Sequence, residues 1–241
     1  GREADVHMGG LNFACQECHR TVDHKIAGRS TTSAVNEGAV SCTDCHDPKP
    51  HPAESPLLDQ LNDHTAAVAC QTCHIPRYAR QDFTMTQWDW SRGGEGSRIL
   101  EKTPDRISKL TLKGHLVLEK NLRPTYAWFN GKHRRYLKGD RIDLQNVAQL
   151  NPPVGDISDP DARITPYKIM HGVEPADAEY HYLIVPKLFG DGYLKSHNWQ
   201  SASKKGMAVA GLPFSGEVAF ARTVMHWRLN HGVAPKSKAL S

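Results

Sequence analysis

A mainly irregular fold with short α-helices and little β structure is predicted for this 241-residue chain by three observations. Hydrophobic residues make up only 39% of it and its mean hydropathy is −0.56, which is lean for a side-chain core at this length. The first third shows little hydrophobic periodicity of either the helical or the strand kind. That same third holds all six cysteines in one pattern written three times: Cys15-Gln16-Glu17-Cys18-His19, Cys42-Thr43-Asp44-Cys45-His46 and Cys70-Gln71-Thr72-Cys73-His74.

Two thiols three residues apart can each form a thioether to one vinyl group of a haem, and the histidine that follows then lies beneath the iron as proximal ligand. The motifs therefore predict three covalent haem c groups. Cys15, Cys18, Cys42, Cys45, Cys70 and Cys73 are the attachment points, and His19, His46 and His74 the proximal ligands. Three porphyrins would stand in for the missing side-chain core, so the fold class is that of a multihaem cytochrome c, with haems forming much of the core. A zinc site would need cysteine pairs converging on one tetrahedral ion, and gives no reason for a histidine to follow every pair. A redox-active disulfide of the thioredoxin kind occurs once, beside a βαβ pattern that is absent here.

The first cysteines of the motifs are 27 and 28 residues apart, an internal repeat. A histidine follows the proximal one by five residues in the first two units, His24 and His51, whereas the third has Ala79 there. Such a histidine is tethered to the side of its own haem and better placed to reach the far face of a neighbouring one. Upstream, His7 lies on an amino-terminal arm that can cap a haem. Residues 25–41 are rich in Ser, Thr and Gly and read as a loop. Pro48, Pro50, Pro52 and Pro56 predict an extended segment. From Pro56 to His74 the pattern turns helical, with Leu57, Leu61, His64 and Val68 on one face carrying His64 towards the haems. Distal ligands are thus expected chiefly from His24, His51 and His64, with His7 and His231 next. Met8 and Met225 are alternatives that would raise the potential, but fourteen histidines favour imidazole.

Past His74 there is no cysteine. Trp88-Asp89-Trp90-Ser91 enters a glycine loop, and its indoles pack either on porphyrin or in a side-chain core. Leu110–Glu119 and Arg123–Asn130 alternate loosely and predict a hairpin or two strands. Lys132, His133, Arg134 and Arg135 form a basic run, a solvated face or a partner for haem propionates. The carboxylates of Asp156, Asp159 and Asp161 are a calcium candidate, but no EF-hand pattern accompanies them and an Asp/Pro turn is favoured. Residues 196–207 predict a short helix around His197 and Trp199. A carboxyl-terminal helix is predicted near 216–231, lined by Val218, Phe220, Val224, Met225, Trp227 and Leu229 and ended by Gly232. His226 and His231 would lie about 140° apart on it, so at most one of them serves as ligand.

Two regions are expected: a three-haem-binding region at 1–80, and a cysteine-free region at 81–241 that wraps the haems. The formal charge of +4 implies no nucleic acid, because each oxidised haem brings about −1 and the basic surplus faces propionates. No apolar run of about 18 residues could span a membrane, and no signal peptide is recognisable. Because haem is attached outside the cytoplasm, a periplasmic or extracellular protein is expected. Starting at Gly1, the chain reads as a processed product or a fragment. Its expected partners are redox proteins, with further haem-bearing chains or identical subunits in a larger assembly.

Longer strings carry a resemblance. Asp5-Val6-His7, the motifs with their trailing His24 and His51, Leu61-Asn62-Asp63-His64-Thr65, Ala69-Cys70-Gln71-Thr72-Cys73-His74-Ile75-Pro76, Trp88-Asp89-Trp90-Ser91 and Asn230-His231-Gly232-Val233-Ala234-Pro235 make the chain resemble the octahaem tetrathionate reductases, multihaem c-type cytochromes. The resemblance implies reduction of sulfur or nitrogen oxyanions as the alternative to electron transfer alone. It also implies eight haems where this chain has motifs for three. The family's lysine-ligated catalytic haem has no counterpart in these residues.

Overall fold

The computed structural model describes residues 1–28, 40–51 and 56–240. Most of the Ser/Thr/Gly-rich stretch at 25–41, and positions 52–55 of the proline segment, lie outside the described residues. The amino-terminal third is a series of short pieces: a π-type turn Val6–Gly10, α1 (Cys15–Cys18), the hairpin β1 (Thr21–Val22) and β2 (Lys25–Ile26), a 3-10 turn Cys42–Asp44, α2 (Pro56–His64) and α3 (Cys70–His74). Each motif coils into about one helical turn because the amide of its histidine, or of the residue after it, bonds back inside the motif. His19 N donates to the Cys15 carbonyl at 2.8 Å, His46 N to that of Cys42 at 2.9 Å, and Ile75 N to that of Gln71 at 2.8 Å.

The remainder overturns the expectation of a mainly irregular, haem-dominated fold with little β structure. Here β3 (Thr84–Asp89), β4 (Arg98–Lys102), β5 (Arg106–Thr111), β6 (Gly114–Glu119), β7 (Thr125–Phe129), β8 (Ala148–Gln149), β9 (Arg163–Asp177) and β10 (Val218–Arg228) form one mixed sheet. Its order is β4-β5-β6-β3-β9-β10-β8, with β7 also paired to β9. β9 is the spine. At 15 residues it runs roughly 50 Å, with β7 along its first residues, β3 in parallel at its middle, and β10 antiparallel from Tyr167 to Asp177. α4 (Tyr193–Ser196) and α5 (Trp199–Ala210) sit between β9 and β10 in the chain. Of the stretches expected as a hairpin or two strands, Leu110–Glu119 holds β6 and Arg123–Asn130 holds β7, two strands that do not pair with each other, since β6 lies between β5 and β3 and β7 pairs with β9. The predicted helix around Trp199 is α5.

The helix predicted near 216–231 is instead strand β10, paired residue for residue with β9. Val218, Phe220, Val224, His226 and Arg228 point to one face, and Ala219, Ala221, Thr223, Met225 and Trp227 to the other. Both faces are packed, so the alternation that reveals a half-solvated strand is lost and apolar residues crowd as they would on a helix.

The core follows the sheet. Tyr182, Ile184 and Met207 cluster against Leu212, Phe214 and Val218, and Leu110, Tyr167, Tyr193 and Met207 are at or near zero exposure. Among the described residues, every buried apolar side chain except Ile75 lies beyond residue 100. The two parts are stitched at the amino-terminal end of β9: Ala69 N donates to the Ile164 carbonyl (3.0 Å), Ile164 N to that of Ala67 (2.8 Å), and the Thr72 hydroxyl to that of Ile164 (2.7 Å).

Candidate haem-binding site

The β1–β2 hairpin folds Ala27 back over the first motif, and its carbonyl lies 2.7 Å from His19 Nδ1. An N–H held there fixes the tautomer that leaves Nε2 available to a metal. Gly28, at φ +137°, makes room for it, since a Cβ at that position would come within 2.9 Å of Nδ1. In the second motif Ser41 and Asp44 form a reciprocal capping box. The third is the most firmly seated. Ile75 is fully buried, and Ala234 N donates to the His74 carbonyl at 2.8 Å.

Each of the three proximal candidates faces one other imidazole. His74 and His51 are stacked with ring centroids 6.3 Å apart and planes 8° apart. His46 faces His7 at 6.0 Å and 68°, and His19 faces His231 at 6.0 Å and 43°. Two imidazoles ligating opposite sides of one iron have centroids roughly 6 Å apart, two metal–nitrogen bonds of about 2 Å plus the two ring radii. The residues present therefore fit bis-histidine haem. His51 Nδ1 is buried without a hydrogen-bond partner, and Leu11, Phe13, Val22, Ile26 and Leu57 expose apolar surface around the motifs, surface that a macrocycle would cover. Burial, followed by the neighbouring His51 and His46, holds His74 below the ordinary histidine value, in the neutral form that binds iron.

Of the distal candidates, His51, His7 and His231 thus stand opposite proximal histidines. His24 and His64 do not: among the described residues no ring contact joins either to His19, His46 or His74. His24 sits at the exposed tip of the β1–β2 turn at φ +61°, which serves to bring Ala27 back to His19. His64 ends α2 and is exposed. The buried residue of that helix is Asn62, roughly 160° round from His64. Its side-chain oxygen accepts from His51 N at 3.0 Å and its amide donates to the His51 carbonyl at 2.8 Å. The helix serves the site by fixing the backbone of His51, and the leucines beside His64 gave no hint of Asn62. No signal in the sequence marks Asn62, because its burial exists only in the folded chain.

Cys42 and Cys70 touch. Their hydrogen bond holds Cys70 below the usual thiol range and, together with burial, drives Cys42 above it. The attachment points of the second and third motifs therefore adjoin. None of the six cysteines is in a disulfide.

Other expectations resolve away from the haem motifs. Trp88 and Trp90 stack on one another at 4.5 Å, and Trp90 packs edge-on to Tyr193 and Trp199, so these indoles build side-chain core. The basic run divides. Lys132 and Arg134 face outward while His133 turns in against Phe129 and Tyr167. Asp156 accepts from Ser158 and Asp159 from Asn130 and Asp161 N, the bonding of a turn. Among the described residues no group of three or more His, Cys, Asp or Glu could hold a free metal ion. Met8 is 45% exposed, and Met225 lies opposite Met170 in the sheet.

CxxCH turns with paired imidazoles at the end of a sheet define a c-type cytochrome. The family described as bacterial cytochrome c matches residues 85–241, and cytochrome c7 and related cytochromes c match residues 2–76; the chain belongs to the bacterial cytochrome c family. It is similar to the octahaem cytochrome c from Shewanella oneidensis, with 39% identity and a TM-score of 0.90 over all of this chain and 56% of that one. A comparison with proteins of curated function finds no match. Electron transfer is the activity that this family and neighbour support, and no helix among the described residues is long and apolar enough to cross a membrane.

Proposed function

We propose that the chain carries three covalent haems, on Cys15 and Cys18, Cys42 and Cys45, and Cys70 and Cys73, with axial pairs His19–His231, His46–His7 and His74–His51, and that it relays electrons among them. Haem c supplies reversible one-electron Fe(III)/Fe(II) chemistry when bound. The observation that carries this reading is the three facing imidazole pairs. The residues do the rest: the paired imidazoles would hold each haem from both sides and leave no room for a third ligand, Asn62 and the Ala27 carbonyl hold two of them in orientation, and the Cys42–Cys70 contact brings two attachment points together.

We propose kinship of this stretch with the octahaem tetrathionate reductases on the strings that carry that resemblance; the identity to an octahaem cytochrome c supports its multihaem character. With both axial positions filled, the chain by itself conducts electrons and does not reduce tetrathionate, nitrite or hydroxylamine. We place it in the periplasm or outside the cell, where it meets redox proteins and further haem-bearing chains, and divide it into the haem-binding region 1–80 and the sheet region 81–241. The test is intact mass and spectroscopy of the purified chain. Three haems of added mass and three low-spin signals are expected. Any other haem count, or rapid saturable reoxidation of the reduced chain by one of those oxyanions, overturns the reading.

A further inference from the structure

We propose that Asp5 is a positioning residue that locks the distal ligands of two different haems with one carboxylate, so that the first and second haems share a single structural latch. The inference rests on the ligand pairing above. Asp5 is 7% exposed, and each of its oxygens receives two backbone amides. Oδ1 accepts from His7 N at 2.8 Å and Met8 N at 2.9 Å. Oδ2 accepts from Gly232 N at 2.8 Å and Val233 N at 3.1 Å. The first pair fixes the turn that carries His7, which faces His46. The second fixes the loop that carries His231, which faces His19. Residues more than 220 positions apart in the chain are thereby held by one side chain.

A second strap lies across the same junction. Arg80 donates from one terminal nitrogen to the Ala4 carbonyl at 2.5 Å and to the Gly232 carbonyl at 2.6 Å, and Val6 N donates to the Val233 carbonyl at 3.0 Å. Arg80 follows Ala79, the residue that occupies the place of His24 and His51 in the third unit of the repeat. Ala79 adopts a left-handed φ of +51°, a backbone state disfavoured for a residue with a Cβ, and its carbonyl accepts from Asn121 N at 2.9 Å. The third unit thus contributes a latch where the others carry a histidine. The Asp5 carboxylate also lies 3.9 Å from His7 Nδ1, too far for a hydrogen bond, so it acts on His7 through the backbone.

A plain helix cap would stabilise only its own turn, so the two roles separate by counting. In the reduced holoprotein, carbon monoxide binds only an iron that has lost an axial ligand. The wild type is expected to take up none, His7→Ala and His231→Ala one each, and Asp5→Ala two, with the His74–His51 haem unchanged as internal control. Arg80→Ala should open the same two haems to a smaller extent. Uptake of one equivalent or none by Asp5→Ala, opening of the third haem, or general loss of haem would each overturn the shared latch. Failure of His7→Ala and His231→Ala to open one site each would instead overturn the ligand pairing itself.

Discussion

Residues 1–80 and the sheet beyond them come from one chain but are held together by different means. Around the motifs, Leu11, Val22, Ile26 and Leu57 are each more than 60% exposed, and the order that exists is made by backbone amides on Asp5, by Asn62 on His51, and by single helical turns. In the sheet, Tyr167, Met207 and Leu110 are completely enclosed, and β9 is paired along both edges. The first region has apolar side chains that lack a core to enter, and the second has a core made of its own side chains. The difference teaches where each part stores its folding free energy: in a covalent cofactor in one, in side-chain burial in the other.

The largest test removes the cofactor. Replacing all six cysteines by serine is expected to leave β9 and β10 protected in hydrogen exchange while the amides of residues 15–28, 40–51 and 56–64 exchange as in an unfolded chain. Equal protection in both regions would show that the cofactor does not hold the first region together. Next comes the side-chain core. Met207→Ala should cost about 2–5 kcal/mol in chemical denaturation. Gly206→Ala sharpens the point, because alanine is the better helix former by about 1 kcal/mol. A Cβ there would sit 1.9 Å from the Val185 carbonyl oxygen and 2.6 Å from Lys187 N, so a net loss of about 1–3 kcal/mol is expected. Neither variant should alter the haem spectra; a change to high spin would show that the regions are not energetically distinct.

A comparable but local effect is expected at Asn62→Ala, which leaves the His51 amide and carbonyl without their partners at about 1–3 kcal/mol. Its signature is a shifted potential and broadened spectrum for one haem only, with the other two as reference. Smallest is the pH response of the sheet. Burial, then Arg135, Arg228 and His226, push His133 down from 6.5 to about 4. Because the folded value is depressed, its contribution is complete above about pH 6.5 and is lost as pH falls towards 4, where the unfolded chain takes up the proton first. His133→Gln should flatten the stability profile in that window, and an identical slope in the variant would assign the loss to other groups.

What was legible in the sequence is what acts over a few residues. CxxCH carries its chemistry within five positions, so Cys15, Cys42, Cys70 and their partners needed no tertiary information, and strands β6 and β7 and helix α5 show their local patterns. The repeat points to His24 and His51, the helical face to His64, and His7 and His231 come next, whereas the imidazoles that face CxxCH histidines are those of His51, His7 and His231. Spacing cannot say which imidazole meets which iron: His19 and His231 come together only because β10 delivers the loop after it to the amino-terminal arm. The sheet was illegible for a related reason. β9 contains Pro166 and Pro175, which argue against an inner strand, and β10 is packed on both faces, so neither shows the alternation that solvent on one side imposes. Composition and local motif determine the cofactor and its covalent anchors, whereas ligand pairing, the sheet, and the burial of Asp5 and Asn62 are decided by contacts between distant segments, whose free energy exists only once both are in place.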